Sequence, residues 1–308
     1  MFKVEHLLHV ENEIGESPIW VPEENSIYWC DTEGYKIFSY EVNSKKHQVY
    51  DVEMPVEALG KREKEGWLLV TKEGFGYWDP KSNECAFIAD PEADKPDVQF
   101  NDGTTDKKGR YLVGSFNFNN LDAPDGSLYI LDENQKIKKL DSGLALSNGI
   151  CFSLDGKTLY LTEMAIGRIS VYDYDLDKGT VSNKRTFAEV DKSKGKPDGL
   201  IIDSEGFLWS AHWGGSRITR YDPSGKIDME IMMPVSSVTC MAFGGESMNE
   251  LYVTTAWYGM SKAEREKEKY AGDLFKIKTG IKGILEYRYK GERKKEKDVW
   301  CYVGRNSK

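Results

Sequence analysis

A chain of 308 residues, 39% of them hydrophobic and 12% aromatic, is long enough to bury a large core in one domain or two. The net charge of −9 and a pI near 5.2 argue against a phosphate-backbone partner, which needs a clustered basic face. Five cysteines (Cys30, Cys85, Cys151, Cys240, Cys301) form no CxxC pair, so zinc-finger spacing is absent and a disulfide framework is not expected. The N-terminus lacks the pattern of a signal peptide, and no apolar run approaches a membrane span. A cytoplasmic protein without nucleic-acid or membrane partners is the expectation.

Residues 2–8 read as an opening strand with no partner nearby. Six strand-rich units follow, whose second strands open near Ile27, Trp67, Tyr111, Leu159, Phe207 and Leu251, a period of about 40–48 residues. Third strands are marked by Ile37–Tyr40, Phe75–Trp78, Leu128–Leu131, Ile169–Asp173, Ile218–Tyr221 and Leu274–Ile277. Helical periodicity is nearly absent, and short β-branched and aromatic runs separated by Gly, Asp, Asn and Pro dominate. The expected fold is all-β, a six-bladed β-propeller over residues 1–291, with residues 292–308 a C-terminal tail of unknown role. The opening strand is suited to completing the last blade, because an open edge would leave backbone groups unpaired. Outside the repeat, Ser261–Lys269 is a mixed-charge run that reads as a solvated loop or short helix.

One polar position recurs just ahead of the first apolar run of each unit. Glu16, Glu57, Asn101, Asn148 and Asp198 hold it in the first five units, and Thr239–Cys240 in the sixth. In a closed propeller the first strands line the channel, so these residues converge at one mouth. Asn-Gly and Asp-Gly are also common turn dipeptides, and a single one reads most simply as a turn. The shared position across units is what favours convergence, and Glu57, with no flanking glycine, is its weakest member. Clustered carboxylates and amide carbonyls suit a hard dication, calcium first, with zinc, manganese and magnesium as alternatives.

The motifs Gly15–Pro18, Phe100–Gly103, Ser147–Gly149, Pro197–Gly199 and Val238–Cys240 resemble, in unbroken order over about residues 1–291, the gluconolactonase, regucalcin and luciferin-regenerating enzyme family. The resemblance implies a six-bladed propeller with a metal in its channel. It implies Glu16, Asn148 and Asp198 as metal ligands, Asp198 also as general base, and Asn101 as a substrate contact. Two positions depart from the family: Gln99 stands where an Arg is usual, and Asn119 where the regucalcin branch has an acidic residue. An amide cannot reproduce bidentate Arg contacts, so substrate identity stays open.

The activity this implies is metal-dependent hydrolysis of a sugar lactone, with Gln99, Asn101 and Asn119 reaching substrate hydroxyls. A phosphotriesterase or other esterase on the same site, or a non-enzymatic calcium-binding propeller, are the alternatives. No GxSxG elbow is present, and His212 reads first as a packed, hydrogen-bonded histidine and second as a substrate contact. Trp213, Phe116, Phe118, Trp257 and Tyr258 are candidate pocket walls.

Overall fold

A computed structural model describes residues 2–52 and 54–292. Its strands form six antiparallel sheets of four strands each, in the order of the chain. These are the expected six blades, arranged as a β-propeller. The inner strands are Gly15–Val21 (blade 1), Val56–Lys61 (blade 2), Val98–Thr105 (blade 3), Ser147–Phe152 (blade 4), Lys196–Ile202 (blade 5) and Ser237–Gly244 (blade 6). In blades 1 to 5 each is followed by its second, third and outer strand, and in blade 6 by a second and a third.

Burial falls off from the axis outward. Second strands such as Trp67–Thr71 are buried on both faces and read as continuous apolar runs, whereas the outer strand Lys46–Asp51 is polar and exposed. Six hydrophobic clusters fill the six gaps between neighbouring blades. In the gap between blades 6 and 1, for example, Trp20, Trp29 and Phe38 meet Tyr252 and Leu274. Burying one such side chain is worth about 1.5–3 kcal/mol, so each gap contributes a core of its own.

The ring closes between its two chain ends. The opening strand Val4–Leu8 pairs antiparallel with Leu274–Lys278, placing Val4 opposite Ile277 and His6 opposite Phe275. Backbone groups that would have been an open edge are thereby satisfied. The mixed-charge run holds a short helix, Lys262–Lys267, started by a capping box in which Ser261 and Glu264 bond each other's backbone N–H. Beyond the last strand the chain crosses the ring, bridging Gly283 to Asp203 of blade 5 and Tyr289 to Arg62 of blade 2. Of the expected tail, residues 293–308 lie outside the described residues.

A candidate site at the polar mouth of the channel

Every inner strand carries the same irregularity. Its pairing with the second strand slips at the polar position: between Glu16 and Ile19, Val56 and Ala58, Phe100 and Gly103, Asn148 and Ile150, Pro197 and Leu200, and Val238 and Met241. A bulge sets two or more residues against one and re-aims a side chain. Repeated at one height around a ring, it turns a set of polar side chains toward the axis. The residues lie inside strands and not, as the dipeptides alone would suggest, in turns.

The glycines after them answer to crowding. A Cβ on Gly149 would lie 2.4 Å from the Asp198 carbonyl oxygen and 2.5 Å from the Leu200 nitrogen. One on Gly199 would lie 2.5 Å from Cys240 Sγ and 2.9 Å from its Cα. Inner strands of blades 4, 5 and 6 therefore approach backbone to backbone, which fixes Asn148 relative to Asp198. The Thr162 hydroxyl donates to the Asp198 carbonyl at 2.9 Å, and the Thr239 hydroxyl donates to Gly15 O at 2.5 Å, tying blade 6 to blade 1.

Electrostatics show which side chains share one space. Burial pushes the Asp198 carboxyl well above the usual carboxylate range, the Asp102 charge pushes it further, and a hydrogen bond from Asn148 opposes both. Glu16 is raised in the same way, by burial first and then by Asp198 and Asp102. Asp102 itself is pushed up to about 7 by burial, against a 2.7 Å hydrogen bond from the Gly103 N–H. None of these three carboxyls is paired with a cationic side chain among the described residues. Asp198 is 1% exposed, and its Oδ1 has no hydrogen-bond partner among the described residues.

The structure brings Glu16, Asn148 and Asp198 together. Asn101 joins them from blade 3: its Nδ2 donates to Ser147 O at 2.9 Å, which leaves its carbonyl oxygen as the atom for a ligand. Glu57 is buried with an unpartnered Oε1 and is pushed up to about 8 chiefly by burial; Lys72 and Glu33 act on it, and its charge in turn raises Glu16. Gln99 is half-buried on the inner strand of blade 3, opposite Phe116. Asn119 stands in an exposed loop and donates from Nδ2 to Asp97 Oδ1 at 2.8 Å. Sequence reasoning missed Asp102, whose charge reaches Cys30, Cys151 and Cys240 from three other blades. The signal was present in Asn101–Asp102–Gly103, where the bulge spans both polar residues.

His212 is fully buried; its Nδ1 lies 2.9 Å from Lys194 O, and its Nε2 has no partner among the described residues. Burial pushes its pKa down to about 4. Phe116, Leu146 and Met164, with Trp213 against them, form an apolar wall, and Met164 Sδ lies 3.4 Å from Asn148 Nδ2. The opposite end of the channel is a cavity lined by Ile150, Phe152, Leu200, Ile202 and Phe243 and crossed by residues 284–287. Its walls are mostly apolar, with Thr104, Thr105 and Glu286 as polar members.

An oxygen donor set of Glu16, Asp198 and the Asn148 carbonyl, buried without a counter-charge and with one orphaned carboxylate oxygen, fits a hard divalent cation. Imidazole is absent from this set, as expected for calcium-type binding.

Fold and mouth together define a six-bladed propeller with an acidic, amide-lined axial channel. The chain belongs to the SMP-30/Gluconolactonase/LRE-like family, whose description matches residues 14–257. It is 32% identical to regucalcin of Xenopus laevis, covering 94% of this chain and 99% of the relative. With human regucalcin it shares 33% identity, again over 94% of this chain and 99% of the relative. A regucalcin from Agrobacterium tumefaciens, described as a calcium-binding protein, superposes with a TM-score of 0.89 at 26% identity, covering 94% of this chain and 97% of that one. A luciferin-regenerating enzyme does so at 0.87 and 27%, covering 94% and 100%.

Proposed function

We propose that this protein hydrolyses a sugar lactone at the polar mouth, with Glu16, Asn148 and Asp198 holding a divalent cation, calcium being the expected ion. The observation that carries the reading is the convergence of these three side chains, with Asp198 Oδ1 buried and unpartnered. Membership of a family that includes gluconolactonases supports the substrate class. When bound, the cation supplies Lewis-acid polarisation of the lactone carbonyl.

The chain's own residues do the rest. Asp198 accepts the proton of the attacking water on the carboxylate oxygen not given to the ion, and the hydrogen bond from Asn148 holds its carboxylate in place. The Asp102 charge keeps Asp198 from becoming too weak a base, because a nearby negative charge raises its proton affinity. Asn101 and Gln99 bond substrate hydroxyls from the inner strand of blade 3, and Asn119 does so from the loop above. The wall of Phe116, Leu146 and Met164 excludes water from one side. The deeply buried thiols of Cys30, Cys151 and Cys240 are held well above the usual range, first by burial, so they are no nucleophiles.

A lactone panel assayed with and without chelator tests the reading: turnover that vanishes on chelation and returns with calcium, zinc, manganese or magnesium is the expected result. A second reading, calcium capture without turnover, is favoured by the calcium-binding description of the Agrobacterium relative. Tight calcium binding with no turnover of any lactone would select it.

A further inference from the structure

Away from the channel, one cluster of side chains is assembled from both ends of the chain. His6 lies in the closing strand Val4–Leu8, His9 just past it, and Asp273 just before Leu274–Lys278. One ligand atom from each lies within 4.8 Å of the others. Asp273 Oδ2 is 2.7 Å from His6 Nε2 and 2.8 Å from His9 Nδ1. Its other oxygen, Oδ1, accepts from the N–H groups of Val10 and Glu11 at 2.9 and 3.0 Å.

This is a preorganised arrangement. Asp273 is 1% exposed and pinned by two backbone donors, the supporting shell that orients a metal-binding carboxylate. The His6 ring stacks on Tyr270 with centroids 4.2 Å apart. Both histidines keep exposed edges, so an ion can reach them. Glu11, whose Oε2 is 3.9 Å from His9 Nε2, stands beside the cluster and is engaged by Arg265 at 2.9 Å.

Two imidazoles and one carboxylate are the donors of a borderline dication such as zinc, in contrast to the all-oxygen mouth. With metal–ligand distances of about 2.0–2.2 Å, tetrahedral ligand atoms sit about 3.3 Å apart. The two contacts to Asp273 open by about half an ångström and the two imidazole nitrogens, within 4.8 Å of each other, draw together, movements that exposed rings can supply. Each neutral imidazole moves its ring proton to the nitrogen facing away from the ion, and water takes the fourth position.

We propose that His6, His9 and Asp273 form a zinc-class metal site that bolts the N-terminal strand to the last blade. The site clamps the one sheet whose strands come from opposite ends of the chain, with His6 and Asp273 separated by 267 positions in sequence. Because the ligands are brought together only in the folded ring, the ion binds the native state alone and stabilises it by mass action.

The test is zinc stoichiometry on the full chain after chelation and equilibrium dialysis against zinc chloride, followed by thermal unfolding. Three proteins are compared: wild type, the mouth variant Glu16→Gln/Asp198→Asn, and that mouth variant carrying His9→Gln as well. A zinc equivalent that survives in the mouth variant, is missing once His9→Gln is added to it, and raises the unfolding temperature by several degrees only where it is bound supports the site. Cobalt chloride added to the mouth variant should then give visible d–d absorption that His6→Asn and His9→Gln both abolish. Far-ultraviolet spectra of the chelated variants, expected to match wild type, separate loss of the site from loss of fold, and if His9→Gln fails this check the His6→Asn variant carries the same comparison. No zinc equivalent in the mouth variant, or one indifferent to His6 and His9, overturns the proposal. Neither result bears on lactone turnover, which the mouth governs.

Discussion

Asp198 combines three properties that seldom coincide: near-complete burial, an oxygen without a hydrogen-bond partner, and a neighbour in Asp102 that raises its affinity for a proton. If it is the base, Asp198→Asn keeps the fold and part of the metal affinity while lowering kcat by about 10²–10⁴. Single-turnover rates with a sugar lactone, beside calorimetric cation binding, check both halves, and wild-type rates would exclude the role. Asn119 is proposed to reach a substrate hydroxyl, and in the structure its amide donates to the Asp97 carboxylate. Asp97→Ala removes the acceptor that holds the Asn119 amide, so KM should rise about 5-fold with kcat unchanged, the cost of roughly one hydrogen bond. Glu16, Asn148 and Asp198 were legible because each stands alone ahead of an apolar run. Asp102 was not, because regular strand alternation sends neighbours to opposite faces, and only a bulge lets Asn101 and Asp102 both serve the channel.

At the scale of the strand, the six bulges are what convert a repeat into a site. The repeat period, the third strands and the closing role of residues 2–8 could be read from patterning alone, since burial on both faces leaves uninterrupted apolar runs. Bulges leave no such pattern, which is why Asn148–Gly149 and Asp198–Gly199 look like turns in the chain and prove to be strand interior. Their glycines serve contact rather than flexibility: neither has positive φ, and each abuts the next inner strand. Gly149→Ala should therefore cost about 1–3 kcal/mol by overpacking and push Asn148 away from Asp198. Denaturant unfolding measures the first effect. A fall in cation affinity larger than the stability loss would report the second.

Across the whole molecule, six blade-to-blade cores and one strand from the chain's start hold the ring, and its axis carries carboxyls that burial keeps from ionising. That has a consequence for stability against pH. Glu57 is raised to about 8 and Asp102 to about 7 from ordinary values of 4.5 and 3.8, and Glu16 and Asp198 move the same way. A carboxyl whose folded pKa is raised binds more protons folded than unfolded between the two values. Its stabilising effect is therefore complete below the unfolded pKa and is lost as pH rises through the folded one. His212 works in the opposite sense: lowered to about 4 from 6.5, it stabilises above 6.5 and loses that effect as pH falls toward 4. Four raised carboxyls outweigh one lowered imidazole between about pH 4.5 and 6.5, so the unfolding temperature of chelated protein should decline from about pH 4.5 to about pH 8 as the axial carboxyls ionise. A dication at the mouth neutralises Glu16 and Asp198, so adding calcium should raise the unfolding temperature more at pH 8 than at pH 5. Melting curves from pH 4 to 9, with chelator and with calcium, give the comparison. A calcium effect equal at both pH values, or absent at pH 8, would place the cation away from these carboxyls, while His212→Gln, which removes the one group opposing them, should steepen the decline between about pH 4 and 6.5.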